Sequence, residues 1–368
     1  MKVLVVSHAC VLPVNQEVYL ELHRRGCDVT LVVPNRWKHA YTPEPFPPTV
    51  HRDFTGMVHR LPVALSGKPQ RHMYLASISR VLRKAAPDVV LIEEEAFSAA
   101  GSQWASAARR AGVPYGLQIA ENLSHRVPGW AKPVARRNFA RAGFVFARSP
   151  AAASLAASLG ATVRADVWPH VVPSWTVADD PSTRQGSDDT PTIGFAGRLV
   201  PEKGIDVLLA AHSLLPGVRL RIAGDGPLRH LVEEHARRGA DVHLHVPTHD
   251  EMPDFYRRID LLVLPSRTTP TWSEQFGRVL VEAMWFGVPV VASDSGEIPW
   301  VVSTTGGGLL VREGEVGELV AAVRSLMEDG QRRQALADRG RTSVHRDFSA
   351  AGGASALLGI LNRVEADC

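Results

Sequence analysis

The feature that most constrains this chain is an alternation of short apolar runs with amphipathic helical stretches, carried through twice. A strand buried on both faces reads as an unbroken apolar run, and helices between such strands imply a parallel sheet covered on both sides. Residues 2–7, 28–33, 88–92, 115–119 and 144–147 are runs of this kind. The stretch 15–26 reads as a helix, with Asn15 as N-cap and Gly26 as its stop. The texture changes between residues 174 and 190, which are polar, acidic and turn-rich, as a surface connection between domains is. Afterwards the alternation restarts, with runs at 192–196, 218–223, 242–246, 260–264 and 288–292. Val316, Leu319, Val320, Val323, Leu326 and Met327 add a helical stripe. At 368 residues the chain exceeds what one core usually supports. The pattern predicts two doubly wound α/β domains, 1–173 and 191–348, joined by a linker at 174–190. Ligands of such sheets sit at the carboxyl ends of the strands, so two facing domains are expected to enclose a cleft.

Bulk properties exclude several classes. No apolar run approaches the roughly 20 residues that span a bilayer. The opening Met1-Lys-Val-Leu-Val-Val-Ser-His8 is read as a buried strand, because it lacks a small-residue cleavage site and runs into a helical pattern. Cys10, Cys27 and Cys368 are odd in number and form no Cys-x-x-Cys, which fits a reducing cytoplasm. Residues 1–150 carry 20 Lys/Arg against 10 Asp/Glu, whereas the net charge of the whole chain is only +3. No acid occurs from Gly56 to Pro87, and a second basic stretch holds Lys132, Arg136, Arg137, Arg141 and Arg148. Solvated helix faces account for such charge. An anionic partner, either a phosphate-bearing molecule or the headgroups at the inner face of a membrane, is the sharper reading. Nucleic acid is disfavoured, since the basic stretches lack interleaved aromatics.

Two stretches carry chemistry. In Gly194-Phe-Ala-Gly197-Arg198-Leu-Val-Pro-Glu-Lys203-Gly204 a strand end, two glycines and two cations five positions apart precede a helix. A diphosphate needs that set: free N–H donors, a bidentate Arg and a point-charge Lys. In Glu274-Gln-Phe276-Gly277-Arg-Val-Leu-Val-Glu282 the acids lie eight positions apart, slightly over two helical turns, which puts both on roughly one side of a helix. That helix start offers N–H groups to phosphate, with Glu282 set for ribose hydroxyls and Glu274 for a sugar ring. Solvent-facing cations and a dipole partner at a helix start are the plainer alternatives.

Together with Gly287-Val-Pro-Val-Val-Ala-Ser-Asp-Ser-Gly296-Glu-Ile-Pro299, Ala223-Gly224-Asp-Gly-Pro-Leu228 and Arg346-Asp-Phe348, these motifs resemble glycosyltransferase family 4. The likeness runs through residues 193–348 and is more diffuse before residue 150, where Gly26-Cys-Asp-Val-Thr-Leu-Val-Val-Pro34 is similar to family starts. The resemblance implies the GT-B architecture, two Rossmann-like domains facing across a cleft, with a C-terminal helix at 349–368 packing back on the first. It implies a retaining, metal-independent transferase that uses a nucleotide sugar, a UDP-sugar over a GDP-sugar, as co-substrate and no cofactor. Catalysis would fall to Arg198, Lys203 and Glu274. The donor would be held by these residues with Gly197, Phe276, Gly277, Glu282 and Gly224. No Asp-x-Asp flanked by apolar residues is present, so no metal ligand is assigned.

There are departures. The Gly-Gly loop often found after the family's first strand is replaced by Ser7-His8-Ala-Cys-Val-Leu-Pro13, and the usual Pro-Asn-Gly before the linker by Pro169-His170-Val171. His8, Glu95, Asn122 and His125, at or after strand ends, are the acceptor-side candidates. His243-x-His245 has no third ligand in view and is read as structural. A sugar-nucleotide epimerase, a phosphorylase or a non-catalytic sugar-nucleotide-binding module on the same architecture are the alternatives. A nicotinamide dehydrogenase is weaker, since no Gly-x-Gly-x-x-Gly follows the first strand.

Overall fold

The computed structural model describes residues 1–38, 44–175 and 190–366. They form two compact units, one made of Met1–Ser174 with the segment that begins at Ser349, the other of Trp175–Phe348. Most of the expected linker, residues 176–189, lies outside the described residues, as does Cys368. No helix among the described residues is long and apolar enough to cross a membrane.

The first unit holds strands β1 (Lys2–Val6), β2 (Asp28–Pro34), β3 (Met57–Leu61), β4 (Val63–Ala64), β5 (Met73–Tyr74), β6 (Val89–Glu95), β7 (Tyr115–Ile119), β8 (Phe144–Ala147) and β9 (Ala165–Val167). Seven make one parallel sheet in the order β3-β2-β1-β6-β7-β8-β9, while β4 and β5 pair antiparallel by themselves. Alternation explains the apolar runs: Leu4, Val6, Val90 and Ile92 enter one core, and Val3, Val5, Val89 and Leu91 the core on the opposite face. The strand order reverses between β1 and β6, so the chain leaves their carboxyl ends in opposite directions and opens a crevice there.

The second core is completed by the end of the chain. The helix Ala350–Ala366 packs along the helix Glu17–Arg24 and contributes Ala354, Leu357, Ile360 and Leu361. Burying a leucine or isoleucine fully is worth about 1.5–3 kcal/mol, so this helix is integral to the first unit. Polar contacts fix its register: Trp168 Nε1 donates to the Gly353 carbonyl at 2.9 Å, and Arg25 donates to the Ala351 carbonyl at 2.9 Å.

The second unit repeats the plan with β10 (Thr192–Ala196), β11 (Arg219–Ala223), β12 (Val242–His245), β13 (Leu261–Leu264), β14 (Val290–Ser293) and β15 (Gly308–Val311). All are parallel, in the order β12-β11-β10-β13-β14-β15, with the reversal between β10 and β13. Two local expectations are corrected. Asn15 caps nothing: it lies in a 3-10 turn, Pro13–Gln16, with its side-chain amide donating to the Ala9 carbonyl at 2.8 Å. Glu274 precedes the helix, which starts at Arg278 because Gly277 adopts the left-handed conformation at its N-cap (φ 73°).

The closeness of the terminal helix gives a stability test. A Cβ at Gly353 would lie 2.5 Å from Val171 Cγ1 and 3.2 Å from Val18 Cγ2, whereas one at Gly359 meets nothing within 4 Å. Gly353→Val is expected to lower stability by about 1–3 kcal/mol through overpacking. Gly359→Ala should raise it by up to about 1 kcal/mol through helix propensity. Thermal denaturation of the two variants checks the contrast.

Candidate functional site

In the second unit the expected residues gather at the carboxyl ends of β10 and β13. After β10 the chain passes Gly197 (φ 148°) and makes a 3-10 turn, Pro201–Lys203. Gly224 (φ 157°) fits there only without a side chain, since its Cβ would stand 1.9 Å from the Gly197 carbonyl oxygen. The turn aims Lys203 at the loop after β13, where its Nζ lies 2.5 Å from Glu274 Oε2 and 5.0 Å from the centre of the Trp272 ring. Ser266 Oγ donates to the same carboxylate oxygen at 3.0 Å. Glu274 is buried, and the neighbouring backbone is tight: a Cβ at Gly296 would meet the Glu274 carbonyl oxygen at 2.2 Å. Arg198 stands apart from this cluster, its side chain half exposed, with Glu202 at 3.7 Å.

Glu282 projects from the helix Arg278–Trp285 and is buried. Its Oε2 accepts from the Tyr256 hydroxyl at 2.7 Å, and its Oε1 lies 3.1 Å from Arg278 Nε. Burial raises its pKa, against the pull of Arg278 and Tyr256. Phe276 is also buried, its ring against Trp300 and Phe348. Lys203, Glu274, Ser266 and Trp272 are thus brought together, with Glu282 held separately by Tyr256. Ser266, Trp272 and Tyr256 had no signal in the sequence, because their roles arise from packing between distant segments. His243 is exposed, with Asp241 Oδ1 2.9 Å from its Nε2.

In the first unit the carboxyl end of β6 supplies three consecutive acids with three different partners. A register shift between Ile92 and Glu95 turns the strand there. Glu93 pairs with Arg148, whose guanidinium lies over the Trp168 ring. Glu94, which the sequence did not single out, is fully buried: its Oε1 accepts from the His8 backbone N–H at 2.9 Å, and its Oε2 lies 2.7 Å from His8 Nδ1. His72 Nε2 stands 3.5 Å from Glu94 Oε1, too far for a hydrogen bond, while its Nδ1 donates to the Pro69 carbonyl at 3.0 Å. Glu95 Oε1 accepts from the backbone N–H groups of Ala120 and Glu121 at 2.9 and 3.1 Å.

The electrostatics follow from these partners. Burial by itself lowers the His8 pKa, but Glu94, with Glu93 and Glu95 nearby, outweighs it and raises the value. Burial pushes Glu94 up, and His8 and His72 together bring it down to about 2. Glu95 has no such cation, so burial, with Glu121 and Glu94 adding to it against those two N–H groups, leaves it at about 7. The ligating atoms of His8, His72 and Glu94 lie within 4.8 Å of one another and could hold a metal ion; the His8–Glu94 separation is that of a shared proton. His8 also lines a cavity of about 280 Å³ with Asn15, Trp37, Lys38, Gly67 and Pro69. Asn122 donates its backbone N–H to Glu121, and His125 is exposed in the 3-10 turn Ser124–Arg126.

Comparison with known proteins adds a family. Group 1 glycosyl transferases match residues 179–343, and a glycosyl transferase 4-like domain matches residues 13–175. D-inositol 3-phosphate glycosyltransferase of Mycolicibacterium smegmatis is 32% identical over 189 residues, 49% of this chain and 42% of that protein. The chain therefore spans under half the length of that curated relative. Sucrose-phosphate synthase of Thermosynechococcus elongatus shares the fold with a TM-score of 0.73 at 17% identity, covering both chains fully. Anabaena HepE in complex with UDP does so with a TM-score of 0.72 at 22% identity, over 99% of this chain and 100% of that one.

The buried Glu94 sets a pH-dependent test. Glu94→Gln should cost about 3 kcal/mol of stability between pH 4.5 and 6.5, as removing one partner of a buried pair does. The contribution of Glu94, depressed from 4.5 to about 2, is present above 4.5 and lost as pH falls through about 2. That of His8, raised above 6.5, is present below 6.5 and lost as pH rises through the raised value. The difference between wild type and Glu94→Gln should therefore peak between these limits and shrink on both sides, as denaturant titrations across pH would read.

Proposed function

We propose, from the premise that the chain belongs to the glycosyl transferase 4-like, group 1 family of GT-B glycosyltransferases, that it moves a sugar from a nucleotide diphosphate sugar to an acceptor hydroxyl. The observation that carries this reading is the convergence of Lys203, Glu274 and Ser266 at the carboxyl ends of β10 and β13. A UDP-sugar is the donor in this reading, in keeping with the UDP and UDP-glucose named in the HepE structures.

The step is retaining and needs no metal. The bond from the anomeric carbon to the diphosphate breaks, and its electron pair leaves with the diphosphate. The acceptor oxygen bonds to the same face of that carbon, while its proton passes to a diphosphate oxygen. Lys203 and Arg198 supply positive charge where negative charge develops, which is the larger part of the electrostatic stabilisation. Lys203 must divide its ammonium between Glu274 and the diphosphate, and the Glu274 carboxylate accepts from sugar hydroxyls. Glu282, held by Tyr256 and Arg278, accepts from the ribose, and the N–H groups around Phe276 and Gly277 meet phosphate at the start of their helix. On the acceptor side, the His8–Glu94 pair fixes an imidazole at the wall of the 280 Å³ cavity, the place this reading gives to the acceptor. Cys10 and Cys27 are buried thiols, and work in a reducing cytoplasm belongs to the same reading.

Lys203→Ala and Arg198→Ala are each expected to cut turnover about a hundredfold with the fold intact by circular dichroism. Turnover should persist in excess EDTA. Labelled nucleotide sugars incubated with an acceptor panel provide the assay. Full activity in Arg198→Ala, chelator sensitivity reversed by Mg²⁺, or isomerisation of the donor without transfer would each contradict the reading.

A further inference from the structure

The first unit carries a surface that the donor site does not use. Nine large apolar side chains are exposed among the described residues, and three of them, Leu65, Met73 and Leu75, fall in the β4–β5 hairpin or at its ends. Single exposed apolar residues need no explanation, but a contiguous group does. Alternation along β5 puts two of them on one face: His72 and Tyr74 are buried, while Arg71, Met73 and Leu75 are exposed. Leu75 is 66% exposed and Leu65 52%, and Leu65 sits at φ 56°, a conformation that a bulky residue adopts only under constraint.

The hairpin leaves the carboxyl end of β3 and is held against the helix Ala99–Ala111, where Tyr74 and Gln103 exchange hydrogen bonds at 2.9 and 3.2 Å. The charge around the hairpin is of one sign. From Gly56 to Pro87 the chain has no acid, and Arg60, Lys68, Arg71, Arg80, Arg83 and Lys84 are all exposed. A second protein copy would have to offer acids to this face. Exposed leucines in a stretch whose charges are all cations have the composition of a peripheral membrane contact, with apolar tips for the acyl boundary and cations for headgroups.

We infer that the β4–β5 hairpin is a docking surface for an anionic lipid bilayer. This deepens the acceptor side of the proposed function, because Gly67 and Pro69 of the hairpin loop also line the cavity at His8. Docking would therefore set that cavity at the membrane surface, where a lipid-linked or phosphate-bearing headgroup could enter it.

The test is co-sedimentation of the full chain with phosphatidylcholine vesicles, with and without phosphatidylglycerol, at low and high salt. Binding is expected only to the anionic vesicles and should weaken with salt. Lys68→Glu with Arg71→Glu should weaken it by about tenfold or more, since each basic residue near such a surface contributes about a factor of five. Leu75→Ser should weaken it severalfold. Leu65→Gly, which suits the positive φ at this position, should also weaken it severalfold with an unchanged circular dichroism spectrum. Leu214→Ser, on the second unit, should bind as the wild type does. Lys203→Ala should also bind fully, so that failure of the donor assignment and failure of docking are told apart. Absence of wild-type binding, binding indifferent to lipid charge, or hairpin variants that sediment like wild type would overturn the inference. So would a solution dimer abolished by Leu75→Ser, which would give the face to a second copy.

Discussion

The structure depends on one constraint of parallel sheets. Strands that all run the same way must be joined by crossovers, so their carboxyl ends collect along one edge, and where the strand order reverses the connections part. In this chain the reversal occurs twice, between β1 and β6 and between β10 and β13. Each reversal carries a group of ionisable side chains. His8 and Glu94 meet at the first, and Lys203 and Glu274 meet near the second. Neither pair is close in sequence. Topology brings each together, and burial then dictates that the charges be paired.

The two pairs differ in how tightly they are tied. Glu94 accepts from both the backbone and the ring of His8, with the His72 imidazole across from it, which fixes the carboxylate on the unit's own groups. Lys203 has one short contact to Glu274 and stands above Trp272, while Arg198 is half exposed. Under the proposed function this difference has a purpose: the donor-side cations can be redistributed to a diphosphate, whereas the His8 ring is held in place. The glycines at 224 and 296 serve the donor side by letting backbone segments approach where a Cβ would clash.

Much of the fold was legible because strands buried on both faces cannot avoid contiguous apolar residues, as at β1, β6, β10 and β13. The strands that went unread are peripheral: β3, Met-Val-His-Arg-Leu, β9, Ala-Asp-Val, and β15, Gly-Leu-Leu-Val, are edge strands, and β4 and β5 pair only with each other. On the donor side the motifs pointed to Lys203, Glu274 and Glu282, but the helical spacing argument for the two acids was wrong, since Gly277 ends the loop and begins the helix between them. In the run Glu93-Glu94-Glu95 the sequence offered three equivalent acids, and Glu95 was chosen. The register shift that sends Glu94 toward His8 has no signature in the residues. His72 and Trp37 were invisible for a related reason, since they reach the site from separate loops.

The central claim is that the second unit holds a nucleotide diphosphate through Lys203 at the carboxyl ends of its reversed strands. Calorimetric titration of UDP and UMP into the full chain tests it most directly, because the two ligands differ by one phosphate. The account predicts that UDP binds about tenfold or more tightly than UMP, the worth of one charge-assisted contact, and that Lys203→Ala removes most of that advantage. Equal affinity for the two nucleotides, or an advantage of UDP that survives Lys203→Ala unchanged, would contradict it.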